Sequence, residues 1–168
     1  MPYTIDEFSA DCRTALTADP GPAGLEFLRQ HVERALTDET FIATHLGPDA
    51  NSPREILYED PDSGFCIIAH VYAGGANPPP HDHGPTWAVY GQVAGVTEMT
   101  DFKIITPPEG DEPGKVEAVR TYELHTGDTQ VYNVGDVHTP RREEETRLVR
   151  IEGRDLSKIK RDRFELAS

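Results

Sequence analysis

From Pro53 onward the chain is cut into short strand-like segments, and this limits it to a closed or two-layered β architecture. REILYED, GFCIIAHVYAGG, TWAVYGQVAGVTEMTDFKIIT, KVEAVRTYELHTGD, TQVYNVGD and ETRLVRIEG are rich in β-branched and aromatic residues. Gly, Pro, Asn or Asp separates most of them. Short strands in series, with no helix between them, pair with their neighbours and curl into a sandwich or barrel. PPEGDEPGK, residues 107 to 115, has the composition of an exposed hairpin loop.

The first third of the chain has a different period. Thr4 followed by Glu7 forms a capping-box pattern, and Phe8, Cys12, Ala15 and Leu16 recur at helical spacing. Asp19-Pro-Gly-Pro breaks that helix. Leu25, Leu28, Val32, Ala35 and Leu36 then form the apolar stripe of a second one, and Thr37 and Asp38 can cap a short third helix that stops at Gly47-Pro48. The expected organisation is a small helical segment over residues 1–48 and a β-barrel over residues 49–168.

Composition narrows the function classes. The 168 residues suit one domain, and the formal net charge of −14 repels phosphate backbones and anionic lipid. Neither nucleic acid nor a membrane is expected as a partner. The N-terminal MPYTIDEFSADC has no apolar core of a signal peptide, and no apolar run reaches the ~18 residues of a membrane helix. Cys12 and Cys66 are too few and too far apart for a disulfide framework, so a cytoplasmic setting is expected.

The chemistry concentrates in PPPHDHGPTWAVYGQ, residues 78 to 92. His-x-His on an extended segment sends both imidazoles to one face, because side chains alternate with period two. Two imidazoles on one face can chelate a divalent ion, and a third from elsewhere would complete a facial set. The prolines ahead of His81 stiffen the approach to it. By parity Trp87 shares the face of His81 and His83, whereas Tyr90 takes the other. Asp82 points away from the ligands and suits a role in holding the loop. Arg150, inside an apolar strand, needs an acidic partner such as Glu152, Glu98 or Asp101, or else a substrate anion.

Two segments together resemble the paired signature of the cupin superfamily, G-x5-H-x-H-x3,4-E-x6-G and G-x5-P-x-G-x2-H-x3-N. The first runs from Gly75 through His81 and His83 to Gly95, and the second from Gly127 through Gly135 to His138. The resemblance covers about residues 64 to 152. It implies a double-stranded β-helix, a jelly-roll barrel, with His81, His83 and His138 as metal ligands. Ala88 stands where many cupins place a glutamate ligand, Asn133 replaces the motif proline, and Arg142 replaces the final asparagine.

With the acidic ligand missing, HDHG resembles the cysteine dioxygenase group, whose members hold ferrous iron with three histidines and act on thiols. The resemblance implies a divalent metal, first Fe(II), with zinc, nickel or manganese as alternatives. It implies a small anionic substrate, with Arg54 binding its carboxylate and His70 and Tyr72 near the pocket wall. A homodimer is expected by the same analogy. The chain departs from the group at Ala88, near the place of the cross-linked cysteine. It departs again in TRLVRIEG, where Leu148, Arg150 and Glu152 stand in place of a Ser-His-Tyr set. The resemblance is therefore to an atypical branch. A zinc-, nickel- or manganese-dependent isomerase or hydrolase, and a non-catalytic small-ligand-binding cupin, are the alternatives to an oxygenase.

Overall fold

The structure, a computed structural model, describes residues 2–167. Among the described residues three α-helices lead the chain: α1 (Ile5–Ala18), α2 (Pro22–Leu36) and α3 (Glu39–Leu46). Thr4 and Glu7 close the expected capping box on α1. Asp38 caps α3 by accepting from the Phe41 amide at 2.9 Å, and its second oxygen accepts from the Tyr3 amide at 2.7 Å. One carboxylate thus fixes the start of α3 and the entry to α1. No helix among the described residues is long and apolar enough to cross a membrane.

Nine strands follow among the described residues: β1 (Glu55–Glu59), β2 (Cys66–Tyr72), β3 (Ala88–Ala94), β4 (Thr97–Thr106), β5 (Gly114–Leu124), β6 (Thr129–Tyr132), β7 (Val137–Arg141), β8 (Thr146–Glu152) and β9 (Phe164–Leu166). They form two sheets, ordered β1-β2-β8-β3-β6 and β7-β4-β5-β9. The pairing is nested. β2 pairs with β8, residues 76 and 81 bridge to Arg142 and His138 around β7, β3 pairs with β6, and β4 pairs with β5. From β2 to β8 the outer segments meet each other and the inner ones meet in turn, which is one long antiparallel ribbon wound on itself, with β1 added beside β2 and β9 added in parallel beside β5. This is the double-stranded β-helix, or jelly roll, of the cupins.

Two features of the strands were not legible in the sequence. TWAVYGQVAGVTEMTDFKIIT divides at Gly95, whose positive φ of 75° turns the chain from one sheet to the other. VHTPR forms β7 despite Pro140, because β7 lies at the margin of its sheet, where a missing amide donor is tolerated.

The five-stranded sheet has two distinct faces. Ile67, Ala69, Val71, Val89, Val149 and Ile151 point outward and are buried with Phe8, Leu28, Val32 and Phe41 of the helices. Their alternating partners point inward and include His70, Tyr90, Gln92, Arg150 and Glu152. Gly91 lies at the contact with α2. A Cβ there would meet Val32 Cγ1 at 2.6 Å and Leu36 Cδ1 at 3.1 Å. Gly91→Val is expected to lift α2 from the sheet and cost about 1–3 kcal/mol, measured by urea unfolding.

The β1–β2 turn is fixed by Asp60, which is 3% exposed. It accepts from the Ser63 amide at 2.8 Å and the Ser63 hydroxyl at 2.9 Å, and pairs with Arg13 of α1 at 3.0 Å. Burial works to raise the Asp60 pKa, but hydrogen bonds from Ser63, Tyr58 and Arg13 outweigh it and hold the carboxyl well below the usual range. A depressed folded-state pKa contributes stability above the unfolded carboxylate value, and loses it as pH falls through the folded one. Asp60→Asn is expected to flatten the acid limb of a stability-versus-pH curve and to lower stability at neutral pH, read by thermal melts across pH.

Candidate metal centre

His81, His83 and His138 converge in the barrel interior, with one donor nitrogen from each lying within 4.8 Å of the others. His81 and His138 sit opposite one another in an antiparallel bridge, exchanging amide-to-carbonyl bonds of 2.9 Å in both directions. The nested ribbon therefore brings the two halves of the motif together. The second shared-face ligand, His83, is reached before the chain turns at Gly84, whose φ is +61°. Asp82 Oδ1 accepts from the Gly84 amide at 2.9 Å, which is the loop-holding role expected of it. From the C-terminal segment, Arg161 donates to the Asp82 carbonyl at 2.9 Å.

The imidazoles suit a divalent ion. Nε2 of His83 and of His138 are 3.2 Å apart. Two nitrogens each about 2.1 Å from one ion, at tetrahedral or octahedral angles, would be separated by about 3.0–3.4 Å. Nδ1 of His81 donates to the Pro79 carbonyl at 3.1 Å, which leaves its Nε2 free as a donor atom. Pro79 thus both stiffens the approach and orients the ring. Burial keeps all three rings neutral. It pulls His81 down to about 4 and His138 to about 3, and it holds His83 well below the ordinary value. Neutral, desolvated imidazoles are the form a cation binds.

Ala88 lies on the inner face, fully buried between Tyr132 and Glu152 on the neighbouring strands. It leaves the histidines without a carboxylate at that position. The residue that does reach them is Tyr90, two positions further along β3. Its hydroxyl is 3.2 Å from His83 Nε2. Tyr132 stacks on His138 with centroids 4.1 Å apart, and its hydroxyl is 2.7 Å from that of Tyr122.

Parity had put Trp87 on the ligand face and Tyr90 on the opposite one, and the structure reverses this. Trp87 packs with the helix-side cluster. Parity was counted straight through Gly84-Pro85, but the left-handed turn at Gly84 resets the phase of the strand that follows. That glycine was the signal available in the sequence.

Behind Tyr90 lies a chain of charges. Arg150 Nη1 donates to the Tyr90 hydroxyl at 3.1 Å, and Arg150 Nε lies 3.1 Å from Glu152 Oε1. Glu152, 1% exposed, also faces Arg54 at 3.4 Å, and Arg54 pairs more closely with Asp155 at 2.8 Å. Arg150 thus finds Glu152 among the acids considered for it. Arg54 is the outer end of this chain, its guanidinium already between two carboxylates. His70 and Tyr72 lie on the inner face of β2, stacked at 5.4 Å. Nδ1 of His70 donates to the Pro53 carbonyl at 2.7 Å, and the Tyr72 hydroxyl is 3.1 Å from the same nitrogen. His31, beside Asp11, and His45, tilted against Phe41, belong to the helices, and His125 lies beside Glu123 at the surface. None of the three joins the cluster.

Fold and site together define a cupin-fold protein with a three-histidine candidate metal centre. No family model matches the chain, and no curated relative matches it. Among solved structures, it is similar to the cupin domain of Cnp3 from Schizosaccharomyces pombe, at 15% identity and a TM-score of 0.49 over 64% of this chain and 66% of that one. It is similar to a cupin superfamily protein from Desulfitobacterium hafniense, at 11% identity and a TM-score of 0.44 over 64% and 84%. A third likeness is to KdgF from Halomonas sp., at 17% identity and a TM-score of 0.43 over 61% and 78%. The chain therefore spans slightly less than two thirds of the length of the Cnp3 domain chain, and no neighbour's activity carries over to it.

The centre depends on ligands from two strands. His138→Ala is expected to abolish stoichiometric binding of a divalent ion, since His81 and His83 alone form a weak bidentate site. Metal content after dialysis, read by mass spectrometry, checks this. Full occupancy in the variant would remove His138 from the ligand set.

Proposed function

We propose that the protein is a metal-dependent cupin enzyme of the mononuclear non-heme iron dioxygenase type, acting on a small carboxylate-bearing substrate that also presents a thiol. The ligand set carries this reading: three neutral imidazoles converge, and among the described residues no carboxylate joins them. Such a set leaves the full charge of a dipositive ion uncompensated, and so favours an anionic donor from the substrate. A bound ferrous ion would supply Lewis acidity toward a thiolate and a redox-active centre for dioxygen, the electrons that reduce dioxygen coming from the thiol sulfur that takes up both oxygen atoms.

The chain's own residues have definable parts in this reading. Tyr132 and the Pro79 carbonyl hold the His138 and His81 rings in place. Tyr90, 3.2 Å from His83 Nε2, offers a hydroxyl to whatever anion occupies the centre, and Arg150 supports that hydroxyl from behind. Met99 and Leu124 pack with Ala88, Tyr90 and Tyr132 in one buried cluster that excludes water from this side of the site.

The test is anaerobic reconstitution with ferrous iron, followed by oxygen uptake with 3-mercaptopropionate, with cysteine, and with propionate as a thiol-free control. Uptake is expected with the thiol acids only, and is expected to vanish when zinc replaces iron. No uptake above background, in protein that retains zinc, nickel or manganese through purification, would reject the oxygenase and leave an isomerase or hydrolase using the same ligands.

A further inference from the structure

We infer that Arg142 is an anion anchor in the barrel, a buried guanidinium that takes the carboxylate of a small ligand beside the three histidines. The thiol at the ligand's other end rests on the function proposed above; the carboxylate contact does not.

Arg142 follows β7 directly, and its backbone pairs with Ala76 in a bridge. It is four residues beyond His138 along the same extended segment, one position past the end of β7, so the two side chains share a face. The intervening Pro140 is buried and lies opposite Met99, a member of the interior cluster, which identifies that face as the inner one. Arg142 itself is only 7% exposed. Its guanidinium lies over the Tyr72 ring, 4.2 Å from the centroid. Tyr72 in turn touches His70, so the cation sits against the wall that the sequence had assigned to the pocket.

Its lack of a counter-charge sets Arg142 apart. Nε of Arg142 and Nε of Arg150 are both buried without a hydrogen-bond partner, but Arg150 has an ion pair with Glu152, whereas no ion pair among the described residues includes Arg142. The other two guanidiniums of the interior network are both paired, Arg54 with Glu152 and Asp155, and Arg150 with Glu152. Three guanidiniums therefore face two carboxylates, and the one left over is Arg142. Arginine stays protonated in proteins, so burial does not discharge it. A buried cation without a partner is strongly unfavourable unless an anion arrives. The planar fork matches a carboxylate with two parallel hydrogen bonds, and a ring beneath it fixes the plane in which they form. Arg54 cannot offer this, because its guanidinium already faces two acids.

Binding and melting experiments separate this inference from the proposed reaction. In the cobalt-loaded protein, titration with 3-mercaptopropionate and with 1-propanethiol is followed by the thiolate-to-cobalt absorption. The expected result is that Arg142→Gln weakens 3-mercaptopropionate by about tenfold or more, the scale of a charge-assisted hydrogen bond. Propanethiol affinity should be unchanged, and Arg54→Gln should leave the ratio of the two ligands as in the wild type. An unchanged ratio in Arg142→Gln overturns the assignment.

The second measurement needs neither metal nor thiol. Propionate should raise the Tm of the metal-free wild-type protein and not that of Arg142→Gln, and the variant should melt no lower than the wild type without ligand. Equal propionate shifts in the two proteins overturn the anchor. If neither thiol perturbs cobalt while the propionate difference holds, the thiol reading fails and Arg142 stands. Should Arg142→Gln not fold, Arg142→Lys carries the same comparisons. It keeps the charge but loses the fork, and must show a reduced preference for 3-mercaptopropionate over propanethiol.

Discussion

The interior of this barrel is organised by one buried carboxylate. Glu152 is 1% exposed and lies between Arg150 on its own strand and Arg54 at the start of the barrel. Without it, Arg150 would be an uncompensated charge in the core. With it, Arg150 is held where its Nη1 meets the Tyr90 hydroxyl, and Tyr90 is held against His83. Buried ion pairs of this kind add little to net stability, since desolvation offsets most of the attraction. Their effect here is geometric: the pair sets the position of a polar group at the histidines.

That arrangement is possible because the five-stranded sheet is shielded on its other side. Helices α1, α2 and α3 cover the outward residues of β2, β3 and β8 with an ordinary apolar core. Hydrophobic burial at that face stabilises the sheet, so the inner face is free to carry histidine, tyrosine, arginine and glutamate. The close approach of α2 at Gly91 and the tie from Arg13 to Asp60 fasten the helices to the strands. The helical segment is thus the reason the barrel tolerates a polar interior.

The centre has a distribution of charge unlike the surface. The chain carries a net charge of −14, yet the group formed by Arg54, Arg142, Arg150, Glu152 and Asp155 sets three guanidiniums against two carboxylates, before any metal is counted. An acidic exterior with a positive interior is the charge arrangement that the proposed small-anion site would use, since local charge and exclusion of water can outweigh the long-range field.

Much of this was readable along the chain, and the reason is local periodicity. Helix boundaries followed from Thr4, Glu7, Asp38 and the Gly-Pro breaks. The histidines followed from His-x-His, with a third at motif spacing. Period and capping depend on residues a few positions apart, which a sequence displays directly. The rest depended on pairing between distant strands. Tyr90 in place of Trp87 followed from a phase reset at one glycine. The partition of Arg54, Arg142 and Arg150 into paired and unpaired cations required knowing that β8 lies beside β2 and β3, because a charge is neutralised by what is near it in space. The sequence by itself determined which residues could bind a metal; only the tertiary structure decided which of the three arginines was left without a carboxylate, because pairing is set by neighbours in space.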